Sequence, residues 1–182
     1  AGLLVGGCGP IVRMAPFSER PDSVKPGSLL GPFDGQVLDA DTQQPLPDAV
    51  VSCSWGFDRG VGTAAPDLSR TYSTRTDVDG RYRIPALRSF AQGLSARLAR
   101  LSFVIYKKEY VAYRQDFVFP QKRPRHDFAQ RSNLVKLSRW SPELSRVQHL
   151  LFLGGGPELE AASSWEALAA AAELDRGGPA PI

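Results

Sequence analysis

Asp34-Gly35-Gln36-Val37-Leu38-Asp39-Ala40-Asp41-Thr42-Gln43-Gln44-Pro45-Leu46-Pro47-Asp48-Ala49-Val50-Val51 is followed, 25 residues on, by Thr76-Asp77-Val78-Asp79-Gly80-Arg81-Tyr82-Arg83-Ile84-Pro85. Short apolar runs alternate here with turn formers, which is the pattern of strands joined by tight connections. A strand is expected over 34–38, and a turn over Asp41–Pro47, where Asp, Thr and Pro favour chain reversal. The next strand, 49–55, puts Ala49, Val51 and Cys53 on one face and Ser52 and Ser54 on the other. Asp77-Val78-Asp79-Gly80 is a turn in which Gly80 takes a positive φ without Cβ strain. The strand after it, 81–84, points Tyr82 and Ile84 inward and Arg81 and Arg83 outward.

Working outward, further strands are expected at 70–76, at 101–106 with Leu101, Phe103 and Ile105 on one face, at 111–119 up to Pro120, and at 133–137. Long loops fall at 56–69 and 86–99, the second with room for a short helix. Seven short strands with turn signals predict a mainly β, two-sheet sandwich. Beyond residue 140 the apolar period becomes helical. Ser141-Pro142-Glu143 reads as a helix start, with Leu144, Val147 and Leu151 at helical spacing. Gly154-Gly155-Gly156 stops it, and Pro157 opens a second helix with Glu158 and Glu160 in its first turn. Leu159, Ala162, Trp165, Ala169 and Ala172 form the expected apolar stripe of that helix.

Residues 33–138 resemble the carboxypeptidase regulatory-like domain, a transthyretin-like (prealbumin-like) β-sandwich common in bacterial envelope proteins. The motifs that carry the resemblance are Gly35-Gln36-Val37, Pro45-Leu46-Pro47-Asp48-Ala49 and Thr76-Asp77-Val78-Asp79-Gly80-Arg81-Tyr82. The family places Gly before Tyr in the turn that follows the 101–106 strand. Here Lys107-Lys108-Glu109-Tyr110 has Glu109 at that position, so this turn must be rebuilt or take another type. The resemblance implies a seven-stranded sandwich without catalytic activity.

The chain has 182 residues, 42% hydrophobic and 23% charged, with 17 Gly and 15 Pro. That composition suits a globular domain rich in turns. A net charge of +3 is too weak to indicate nucleic acid. No apolar run approaches the roughly 20 residues of a membrane-spanning helix. Val5-Gly6-Gly7-Cys8 resembles a bacterial lipobox, so residues 1–8 are read as the end of a lipoprotein signal peptide, with Cys8 the lipidated residue. Gly9 stands where an Asp would retain such a protein at the inner membrane. Residues 9–32 carry Pro10, Pro16, Pro21, Pro26 and Pro32 and read as an extended tether. The expected organisation is therefore 1–8, the tether 9–32, a sandwich over 33–139 and a helical extension over 140–182.

Candidate chemistry is thin. Intradiol dioxygenases, on a related sandwich, hold iron with two tyrosines and two neighbouring histidines. Here His126 and His149 are far apart in sequence. Transthyretin-like hydroxyisourate hydrolases end in Tyr-Arg-Gly-Ser, which this chain lacks. His126-Asp127 sits in a basic loop, and His149 lies beside a helical apolar stripe. Asp77-x-Asp79-Gly80 lacks the further oxygen ligands of a calcium loop. Cys53 reads as a core thiol. Residues 121–146 are basic and the last helix acidic; the basic patch could meet anionic lipid, polysaccharide or the acidic tail of the same or a neighbouring chain, and pairing within the chain is favoured because both halves are present.

The expectation is thus a lipid-anchored protein of the bacterial cell envelope, at the outer membrane and facing the periplasm or the surface. It would act as a non-catalytic structural or protein-binding module, with no metal, cofactor or nucleic acid. Its partner would be another envelope protein or itself, met through Leu159, Trp165 and Leu168. The alternative is carbohydrate binding through Trp55, Phe57 and Tyr72.

Overall fold

The computed structural model describes residues 29–58, 64–87, 97–154 and 156–177. The expected signal segment, Cys8 and most of the tether lie outside the described residues, as does most of the 86–99 segment. Among the described residues the chain is mainly β with two C-terminal helices: β1 (Phe33–Asp39), β2 (Val50–Asp58), β3 (Ala64–Arg75), β4 (Arg81–Ile84), β5 (Arg97–Tyr106), β6 (Tyr113–Arg114), β7 (Phe117–Val118), β8 (Arg123–Pro124), β9 (Asn133–Leu137), α1 (Arg146–Leu153) and α2 (Pro157–Asp175). They form a three-stranded sheet, β4-β1-β9, a four-stranded sheet, β3-β2-β5-β6, and a β7-β8 ribbon. β1 pairs antiparallel with β4 and parallel with β9; the four-stranded sheet is antiparallel throughout.

One apolar cluster takes side chains from both sheets: Phe33, Val37, Tyr82, Ile84, Val135 and Leu137 from the first, Val51, Cys53, Trp55, Leu101, Phe103 and Ile105 from the second. The inward and outward assignments on β4 and the inward face of β5 are as the alternation predicted. Cys53 is buried in this cluster, and burial pushes its thiol pKa well up, so it stays protonated. Leu29 belongs to the same cluster, and its carbonyl accepts the Trp55 indole N–H at 2.8 Å. The last residues of the expected tether are therefore core, because Trp55 needs a buried acceptor and Leu29 provides it.

The motif residues each meet a tight local demand. Gly35 lies where β1 meets β9, and a Cβ there would stand 2.1 Å from the Asn133 carbonyl oxygen. Gly80 has φ +70, and a Cβ would stand 2.4 Å from the Val37 oxygen. Thr76 Oγ1 donates to the Leu46 carbonyl at 2.7 Å and accepts the Ala49 N–H at 2.8 Å. Asp77 Oδ1 accepts the N–H groups of Asp79 and Arg81, so the carboxylate organises a turn. Glu109 keeps a glycine-like backbone, φ +67, and its carbonyl accepts the Trp140 N–H.

Several expectations need correction. Nine strands, not seven, occur among the described residues. The single strand expected over 111–119 divides into β6 and β7; at Gln115 the backbone N–H still donates to the Phe103 carbonyl, and the side chain makes the next two bonds to β5. Gln115 Oε1 accepts the Phe103 N–H and its Nε2 donates to the Leu101 carbonyl. β3 and β5 both begin inside segments expected to be loops. The first helix starts at Arg146, four residues late, with Ser145 rather than Ser141 as its cap.

Candidate functional site: a buried polar network under the helices

Both helices lie over the outer face of the four-stranded sheet. Val50, Val104 and Tyr106 of the sheet join Ala112, Phe119, Phe152, Leu153 and Leu159 in a second apolar cluster. The helix N-terminus at Arg146 needs a negative partner, and its own first turn has none. α2 supplies it: Glu173 accepts the Arg146 N–H at 2.7 Å and the Ser145 hydroxyl.

Within this apolar layer sits a set of polar groups. Glu166 and His149 are fully buried. Glu166 Oε1 meets His149 Nδ1 at 2.7 Å and Arg146 at 3.1 Å, and Oε2 accepts the Tyr106 hydroxyl at 3.1 Å. Trp165 Nε1 donates to Tyr106 Oη at 2.8 Å. The Arg146 guanidinium lies 3.6 Å from the Trp140 ring centroid and 4.7 Å from that of Trp165. Burial alone would raise the Glu166 pKa, but the hydrogen bonds from His149 and Arg146 and the Arg146 charge outweigh it and hold the carboxyl below its usual value. Burial, with the Glu166 charge adding to it, raises the Tyr106 pKa well above that of a free phenol.

The imidazole tautomer follows from its neighbours. Ala112 N–H donates to His149 Nε2 at 2.9 Å, so that nitrogen carries no proton and Nδ1–H donates to Glu166. A carboxylate–imidazole pair of this kind orients a base in hydrolases. Here the working nitrogen is occupied by a backbone amide in a buried setting. The network joins β5 and the two helices through hydrogen bonds.

The three residues expected to form a partner surface are not brought together. Leu159 is buried, 2% exposed, against the chain's own sheet; Trp165 is half-buried in the network; Leu168 is 76% exposed. The packed stripe of α2 is Leu159, Ser163, Glu166 and Ala170, rotated from the expected one. Glu166 turns inward because His149 and Arg146 await it, and Ser163 follows by donating to the Leu159 carbonyl. Of the aromatics proposed for sugar binding, Trp55 and Phe57 are buried and only Tyr72 is exposed. His126 is exposed, and its neighbour Asp127 pairs with Arg125 at 3.0 Å. The expected pairing of basic segment with acidic helix occurs at Arg146–Glu166.

The missed network had a readable signal. Val104 and Tyr106 alternate with Phe103 and Ile105, so β5 is apolar on both sides, as a strand covered on both faces must be.

No family model matches the chain, and no curated protein matches it. Among solved structures it is similar to 3-chlorocatechol 1,2-dioxygenase from Rhodococcus opacus 1CP, with 18% identity and TM-score 0.39, over 66% of this chain and 63% of that one. It is also similar to a 9R-lipoxygenase from Cyanothece PCC8801, with 19% identity and TM-score 0.29, over 68% of this chain and 19% of that one. The chain thus spans under two thirds of either enzyme. The expectation that the chain is not an enzyme does not stand, because both of these neighbours are enzymes. Likenesses this distant assign no reaction to it.

Proposed function

We propose that this chain is a lipid-anchored module of the bacterial cell envelope that binds another envelope protein or a second copy of itself. The observation that carries the reading is Val5-Gly6-Gly7-Cys8, followed by a proline-punctuated stretch and then a β domain. The domain is read as a transthyretin-like sandwich of the carboxypeptidase regulatory-like kind. That assignment is supported by the corner in which Leu46, Thr76 and Gly80 interlock and by the close approach of Gly35 to Asn133 and Tyr82, since each of these motif residues has a steric or hydrogen-bonding task. The glycine-like backbone of Glu109, at the family's glycine position, adds to it. Protein binding is supported by Leu151, Leu168 and Leu174, three large apolar side chains left exposed on the helical pair.

In the native host the mature protein should begin at a Cys8 carrying the mass of a lipid and fractionate with membranes. Cys8→Ala should move it to the soluble fraction with its circular dichroism unchanged. A mature chain that retains residues 1–7, or carries an unmodified Cys8, overturns the anchor.

A further inference from the structure

Among the described residues nothing covers the outer face of the three-stranded sheet, and that face is cationic. The register of β4-β1-β9 places side chains on this face in rows: Arg83 beside Asp34, then Arg81, Gln36 and Leu134, then Leu38 beside Lys136. Successive rows are about 6.5–7 Å apart and adjacent strands about 4.8 Å apart. A shallow groove of about 370 Å³ crosses it, lined by Asp34, Gln36, Arg81, Arg83, Ser132 and Leu134. Asp34, the acid in the groove, is already engaged by Arg131 and by the Ser132 N–H. Among the described residues Arg81, Arg83 and Lys136 have no acidic partner, and all three are exposed. Leu134, 54% exposed, lies on the same face, in the row of Arg81 across Gln36 and next to Lys136 along β9.

We infer that this face docks on an anionic lipid surface, an inference that rests on the proposed anchoring through Cys8. Three observations favour lipid. Unpaired cations complement a negatively charged headgroup layer, and the field acts within a Debye length of the surface. An exposed Leu among Arg and Lys suits the boundary between headgroups and acyl chains better than it suits a polysaccharide. The exposed aromatics that stacking on sugars would use, Tyr72 and Phe117, belong to other sheets. Position agrees with charge. The chain enters the domain at this sheet, where the Leu87 N–H donates to the Leu30 carbonyl and Phe33 pairs with Ile84, one residue from Arg83. Residues 9–28, about 20 of them, span at most about 70 Å between Cys8 and that point, so an anchored domain stays within reach of the bilayer.

The test uses the full chain with Cys8→Ser, so that no attached lipid contributes, and vesicles of phosphatidylcholine with and without phosphatidylglycerol. Binding should require phosphatidylglycerol and weaken with added salt. Arg81→Glu with Arg83→Glu should lower the phosphatidylglycerol-dependent partition at least about tenfold, since each surface-facing cation contributes about fivefold. Lys122→Glu with Arg123→Glu, at the ribbon, makes the same change in net charge and should stay within about twofold of the parent. Near-UV circular dichroism checks folding, and Arg81→Gln with Arg83→Gln replaces the reversal pair if that pair misfolds. Equal losses from the two sites would mean that net charge, not this face, drives binding, and would overturn the inference. So would retention on an acidic polysaccharide column without binding to phosphatidylglycerol vesicles. Failure of the anchor itself would show separately, in the mass of the mature protein.

Discussion

On their inner sides the two sheets are alike: each sends alternate apolar side chains into one shared core. Their outer sides part company. β4 and β9 alternate strictly, with Arg81, Arg83, Leu134 and Lys136 turned to solvent. β5 instead carries Val104 and Tyr106 on its second side, and the two helices cover them. A strand with one wet face reads as alternation, whereas a strand buried on both faces reads as a continuous apolar run. The same difference shows in charge. On the outer face of the open sheet, Arg81, Arg83 and Lys136 have no acidic partner among the described residues. Under the helices, the buried carboxylate of Glu166 is matched by His149, Arg146 and Tyr106.

The sharpest way to break this comparison is Glu166→Ala. It leaves a buried imidazole, a guanidinium and a phenol without their common acceptor, and should cost about 3–5 kcal/mol in urea unfolding. Amides of α1 and α2 should lose hydrogen-exchange protection before those of β1 and β9. A change below about 1 kcal/mol would mean that the network is not what holds the helices.

A second measurement compares equivalent positions on the two outer faces. Val104→Ala should cost about 2 kcal/mol, because it opens a cavity between sheet and helices. Leu134→Ala should stay within about 0.5 kcal/mol, because that side chain is already wet. Equal costs would mean that both faces are covered in solution.

The smallest effect is confined to acid. Asp39, at the end of β1, accepts the N–H groups of Thr42 and Asp41 and the hydroxyl of Tyr110, with Arg139 alongside. The Thr42 and Tyr110 bonds, chiefly, lower its pKa to about 2. A depressed carboxyl stabilises the fold above its unfolded pKa, and that contribution is lost as pH falls from about 4 towards 2. Urea midpoints at pH 5 and pH 2.5 should therefore converge between the parent and Asp39→Asn. A gap that stays constant would show that Asp39 is not the titrating group.

Much of the β domain was legible in order. Gly35, Thr76 and Gly80 each meet a local demand: a close strand approach, a hydroxyl bridging two backbone groups, a positive φ. Such demands select particular residues, so they leave a mark in sequence. The burial of Cys53 and the outward arginines of β4 followed from a period of two. The 111–119 strand was misread because the Gln115 side chain imitates a strand backbone, and an amide side chain carries no periodicity. The start of α1 was misread because Ser141-Pro142-Glu143 satisfies every local rule for a cap. What moved it to Ser145 was Glu173, 28 residues further on, reaching the Ser145 hydroxyl and the Arg146 N–H.

By itself, then, the sequence determined the β character of the chain, the inner faces of its strands, its turns and the presence of two terminal helices. Those properties depend on neighbours a few residues apart. Only the tertiary structure decided which side of each helix is buried and which charges stand free. A stripe containing Leu159 and Trp165 is compatible with several rotations. The rotation adopted is the one that lets Glu166 meet a histidine and an arginine from another helix, a match of buried polar groups that local pattern cannot encode.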